Sequence, residues 1–112
     1  MSIDDASKID IVATRPESDE VKLVIADHLT WSDPDAHCRM IQDKVNTYIA
    51  FVESRQLWEV KGHRIPERPH IFITLAAKHA PAEVAWEFLS QLRAALNNIG
   101  IEFEVNVEAA DA

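Results

Sequence analysis

A chain of 112 residues, 47% of them hydrophobic, has the length and composition of one globular domain with a real core, which excludes a disordered polypeptide. Its 11 basic and 19 acidic residues leave a net charge of −8, and an acid excess in both halves argues against nucleic acid and anionic membrane as partners. Two glycines argue against a glycine-rich phosphate loop, and no apolar run approaches the ~18 residues that cross a bilayer.

In chain order, residues 1–8 are polar and read as a loose tail, and residues 9–14 as a short strand with Ile9, Ile11 and Ala13 on one face. The turn-rich stretch 15–20 joins it to a second strand, so a hairpin is expected. In that strand Val21, Leu23, Ile25, Leu29 and Trp31 share a face by period-two alternation, and Asp27 sits among them. Asp33 followed by Pro34 is a strong helix start, with Ser32 and Asp35 as a competing cap pattern. The helix carries the stripe Ile41, Val45, Tyr48, Ile49 and Val52, and is expected to end near Arg55 or Gln56. His37 and Lys44, seven apart, lie on one flank of that stripe.

Residues 57–69 form a long connection, expected to tuck Trp58 and Ile65 under the helix in preference to serving as a binding loop. Residues 70–76 make the most apolar strand, apolar on both faces as in the middle of a sheet. Pro81 opens a second helix with the stripe Ala85, Phe88, Leu89, Leu92, Ala95, Leu96 and Ile99, and Gly100 ends it. The last strand, 101–107, alternates Ile101, Phe103, Val105 and Val107 with Glu102, Glu104 and Asn106. Residues 109–112 read as a second loose tail. The order predicts an α+β fold in a single domain spanning 1–112. It is a two-layer α/β sandwich, strand-strand-helix-strand-helix-strand, with both helices on one face of a four-stranded mixed sheet.

The chemistry on offer is modest. Asp33, Asp35, His37 and Cys38 cluster at the helix start, but Asp33 is committed to the cap and no paired ligand set follows, so no metal and no cofactor is expected. Cys38 at the stripe's edge reads as a small hydrophobe rather than a nucleophile. A lone cysteine fits a reducing cytosol, and the N-terminal residues lack the basic and apolar regions of a signal peptide, so a cytoplasmic protein is expected. Asp27, His37 and Lys44 are the candidates for acid–base catalysis. The preferred account is a structural ion pair in which Asp27 contacts Lys44, with His37 lining the same pocket. Trp31, Trp58 and Arg64 are candidate binding residues from the core approach and the long connection. Trp86, offset from the second helix's stripe, is a candidate interface residue, and solubility alone accounts for the negative charge.

The run from Asp27 to Trp31, with His37 and then residues 42–54, resembles a family of small bacterial proteins labelled only as a domain of unknown function. The resemblance is confined mainly to residues 20–56. It implies a shared fold and a shared pattern that falls on Asp27, Trp31, His37, Lys44, Asn46 and Tyr48, which adds Asn46 and Tyr48 to the binding candidates. The pattern has a glycine where this chain has Arg55, and it supplies no activity. The expected function is a non-enzymatic protein-binding module, of inhibitor or immunity type, acting on a basic protein and able to form a homodimer. The alternative is a small enzyme using an Asp-His-Lys pocket.

Overall fold

The computed structural model describes residues 9–15, 17–62 and 64–108, so both expected tails lie outside the described residues. The elements are β1 (Ile11–Thr14), β2 (Glu20–Asp27), α1 (Pro34–Glu53), a 3-10 turn (Gln56–Glu59), β3 (His70–Ala77), α2 (Ala85–Asn98) and β4 (Ile101–Val107). The sheet order is β1-β2-β3-β4, the same as the chain order. β1 pairs antiparallel with β2, while β2–β3 and β3–β4 are parallel, each joined through a helix. This is the expected mixed four-stranded sheet with two helices on one face.

The alternation in each strand decides which side the helices cover. Val21, Leu23, Ile25, Ile71, Ile73, Leu75, Ile101 and Phe103 are buried and meet Ile41, Val45, Leu89, Leu92 and Leu96 from the helices in one core. The other side holds Ile11, Lys22, Val24, Ala26, Phe72, Thr74, Ala76, Glu102, Glu104 and Asn106, and no described element covers it. β3 is therefore not sandwiched. β3 lies inside the sheet, as expected, and its second face carries half-buried Phe72 and exposed Ala76.

α1 starts as its sequence dictates. The Asp33 carboxylate accepts from the Ala36 amide at 3.2 Å, Pro34 occupies the first helical position, and Asp35 sits in the first turn. The helix ends at Glu53, earlier than expected, because Arg55 takes a left-handed φ of 67°. That is the conformation glycine adopts most cheaply. The 3-10 turn that follows buries Leu57. The Trp58 indole then donates to the Pro66 carbonyl at 2.9 Å, and Ile65 packs on the core, so the long connection tucks in as expected.

α2 starts four residues after Pro81 and not at it. Residues 82–86 turn through i→i+3 bonds, Ala85 to Ala82 and Trp86 to Glu83. Of its stripe, Ala85, Leu89, Leu92 and Leu96 are buried, whereas Ala95 and Ile99 face out. Gly100, with φ 81°, turns the chain into β4.

Candidate functional site

Two acids are buried at the seam between the hairpin and α1, and each takes a base from the helix. The first is Asp27, the last residue of β2. Its place in the alternation aims it at the core, and it is 2% exposed. One carboxylate oxygen accepts from the Leu29 amide at 3.1 Å, which shapes the turn out of the strand. The other lies 2.6 Å from His37 Nε2. His37 stands in the first turn of α1, also 2% exposed, and its ring stacks on Trp31 with centroids 3.6 Å apart. The Trp31 indole in turn donates to the His79 carbonyl, which ties this corner to the end of β3. His37 Nδ1 is buried and has no hydrogen-bond partner.

The second acid is Asp10, just before β1. Lys44 is fully buried, and its ammonium lies 2.9 Å from one Asp10 oxygen. The other Asp10 oxygen accepts from the Ala26 amide at 2.9 Å, beyond the point where the β1–β2 register ends. The Asp10 amide donates to the Tyr48 hydroxyl, which donates at 2.6 Å to the Val24 carbonyl. Asp10 thus joins the hairpin to two successive turns of α1. Burial pushes the Tyr48 phenol well above its ordinary pKa, because the anion would lose its water.

The expected Asp27–Lys44 ion pair is therefore corrected. Asp27 goes to His37, and Lys44 goes to Asp10. The sequence treated residues 9–14 only as a strand and missed Asp10. Its signal was present, a single charge inside the apolar run Ile9, Ile11, Val12, Ala13. A buried lysine needs a paired acid, and two were within reach of α1.

The other candidates do not gather into one site. Tyr48 is in the core, and Asn46 is exposed on α1, accepting from Gln42. Trp58 lies beneath the Arg55 guanidinium at 4.2 Å. Arg64 is exposed beside the β1–β2 turn. Burial, with Asp35 nearby, raises the Cys38 thiol, which makes it a poor nucleophile. Among the described residues no three of His, Cys, Asp and Glu converge, and no helix is long and apolar enough to cross a membrane.

The remaining polar chemistry is on the uncovered sheet face. Glu104 of β4 accepts from the Thr74 hydroxyl at 2.7 Å and pairs with Lys22 of β2 at 3.2 Å, a link across three strands. These partners hold its carboxyl below the ordinary range, the Thr74 hydrogen bond most of all. His70 meets Glu102, and Lys22 lies over the Phe72 ring. At the carboxyl ends of β2, β3 and β4 a shallow cleft of about 450 Å³ is lined by Ala26, His28, Ala76, Lys78, Asn106 and Glu108. A smaller hollow of about 280 Å³ lies against His37, between Leu29, Asp33 and Met40.

These features define a two-layer α/β protein with paired charges sealed between its layers and one sheet face open. The chain belongs to a family of unknown function, DUF6572, whose sequence profile matches residues 1–109, well beyond the stretch that carried the resemblance. No curated protein and no solved structure is significantly similar to it.

Proposed function

We propose that this chain is a non-enzymatic binding module of the cytoplasm that docks a basic protein on the uncovered face of its sheet, as an inhibitor or immunity-type protein does. The observation that carries the reading is the character of that face. Val24, Ala26, Phe72 and Ala76 make an apolar floor around Lys22, with Ile11 at one margin 51% exposed. Glu102 and Glu104 stand along the other margin, where His70 and Lys22 pair with them, and the chain as a whole carries −8. An apolar floor with an acidic margin suits a partner that presents apolar side chains flanked by lysine or arginine. The closure of Asp27, His37 and Lys44 supports the non-enzymatic side of the reading, since none offers its charged group to solvent.

The enzyme alternative rests on one observation, the unpartnered Nδ1 of His37, whose Nε2 is held by Asp27 as in an acid–base dyad. The test is affinity capture from native extract with three forms of the protein. Ala76→Arg plants a cation on the floor, and Ser90→Arg plants one on exposed α2 as a control. The expected result is one basic protein retained by the native chain and the control and lost with Ala76→Arg. Capture indifferent to Ala76→Arg, or no captured basic protein, contradicts the reading.

A further inference from the structure

We propose that the groove between α2 and β4 binds a small aromatic carboxylate, with the ring packed on Trp86 and the carboxylate held by Arg93. The groove lies on the helix side of the sheet, away from the open face, so the proposal stands apart from the docking function.

α2 builds one wall by helical spacing. Trp86, Ser90 and Arg93 stand at i, i+4 and i+7, so they share one flank of the helix beside its buried stripe. β4 supplies the rest. By alternation Phe103 and Val105 direct their side chains to the helix side, and with Leu89 they form the floor of a hollow of about 280 Å³. Leu89 and Phe103 belong to the packed core, so the floor is fixed before any ligand arrives. Ser90 is the small residue of the wall, and a larger side chain there would occupy the space.

The two ends of the wall carry groups that the fold does not use. Trp86 is 44% exposed. The Trp31 and Trp58 indoles donate to the His79 and Pro66 carbonyls, whereas the Trp86 indole donates to no described residue. Arg93 is exposed and pairs with no carboxylate among the described residues. Glu104 lines the groove, but its carboxylate is taken on the opposite face by Thr74 and Lys22. Glu87, next to Trp86 in the chain, does not line it. The charge left to the groove is therefore positive, in a chain that carries −8 overall.

These parts select the occupant. A guanidinium is planar and presents paired N–H donors that match a carboxylate. An indole offers a broad apolar surface on which a second ring packs. Seven residues of helix separate Trp86 from Arg93, about 10 Å along the axis, and both side chains line the hollow between them. A ring and a carboxylate joined by a short carbon arm span that interval. The volume of about 280 Å³ is at the lower limit for ligand pockets, which suits a molecule of about a dozen non-hydrogen atoms better than a peptide segment.

Titration with hydrocinnamate, followed by nitrogen–proton NMR of isotope-labelled protein, tests this through the three indole N–H signals. The Trp86 signal, assigned by its loss in Trp86→Phe, is expected to move with a dissociation constant on the order of 1 mM. The Trp31 and Trp58 signals, bonded within the fold, are expected to stay. Arg93→Gln is expected to weaken hydrocinnamate roughly fivefold and to leave the weaker binding of its uncharged amide unchanged. Ser90→Phe is expected to abolish binding of both. Ala76→Arg, on the open face, is expected to leave the titration unaltered, so failure of this site and failure of the docking reading are separable. A Trp86 signal that does not move, equal affinity of the native chain for the acid and the amide, or undiminished hydrocinnamate binding by Arg93→Gln overturns the proposal.

Discussion

The two buried pairs, Asp10–Lys44 and Asp27–His37, look alike and are not. Each sets an acid from the hairpin against a base from α1, and the bases are one heptad apart. Asp10 uses both oxygens, and its own amide reaches Val24 through Tyr48. Asp27 also uses both oxygens, but its histidine keeps one nitrogen unpartnered and stacks on a half-buried tryptophan at the end of the sheet. The first pair is internal bracing that joins β1, β2 and α1. The second braces a corner that opens toward two hollows. Position explains the difference: Asp10 sits between the start of β1, β2 and the middle of α1, whereas Asp27 ends its strand at the corner of the sheet.

The largest effect is expected from breaking the inner pair. Lys44→Met leaves the Asp10 carboxylate buried and uncompensated, and is expected to cost about 3–5 kcal/mol in chemical denaturation. Asp10→Asn with Lys44→Gln keeps an acceptor for the Ala26 amide and a neutral side-chain pair, so most of that loss should return. A double variant as unstable as Lys44→Met would show that the pair is not what holds the seam.

His37→Phe keeps the stack on Trp31 and removes the hydrogen bond to Asp27. The expected cost is smaller, about 1.5–3 kcal/mol, the range for a hydrogen bond to a charged group. Reaction of the native protein with diethyl pyrocarbonate sharpens the contrast. Exposed His28, His70 and His79 should be modified first, and His37 only as the protein unfolds. Early modification of His37 would favour the enzyme alternative.

Tyr48→Phe is expected to cost about 1–3 kcal/mol, because the Val24 carbonyl and the Asp10 amide lose their shared partner. The phenol also sets an alkaline limit. Its pKa is raised on folding, so its contribution is full below the unfolded value near 10 and is lost as pH climbs from there toward the folded value. Native protein should lose stability above about pH 10 more steeply than Tyr48→Phe does. Equal slopes would remove Tyr48 as the cause.

The smallest effect concerns the helix end. Arg55→Gly relieves a left-handed backbone, worth about 1 kcal/mol, against loss of the guanidinium over Trp58 at roughly half that or more. A net change within about 0.5 kcal/mol is expected by thermal melting. A large destabilisation would assign Arg55 a further contact.

Much of the architecture was legible because period-two and helical alternation follow directly from burial. Val21, Leu23, Ile25 and the α1 stripe declared their faces, and Asp33 with Pro34 declared the helix start. Asp27 and Lys44 were legible as buried charges, since each interrupts an apolar pattern. Their partners were not. Pairing depends on where the hairpin sits across α1, and no local pattern encodes that. Asp10 was overlooked for a related reason: in a four-residue strand one charge is weak evidence of an inward turn. The exposure of Phe72 and Ala76 depended on strand order, which alternation does not determine. The pairing Nε2–Asp27, and with it the spare Nδ1, follows from ring orientation, which the sequence does not carry.

The central claim is that the buried acids hold the fold while partner recognition belongs to the open sheet face. Affinity capture from native extract, run in parallel on Asp10→Asn with Lys44→Gln and on Ala76→Arg, tests it most directly. The account predicts that the buried double variant retains the basic partner and that Ala76→Arg, equally well folded, loses it. Retention by Ala76→Arg together with loss by the folded double variant would contradict the account and place function at the buried pairs.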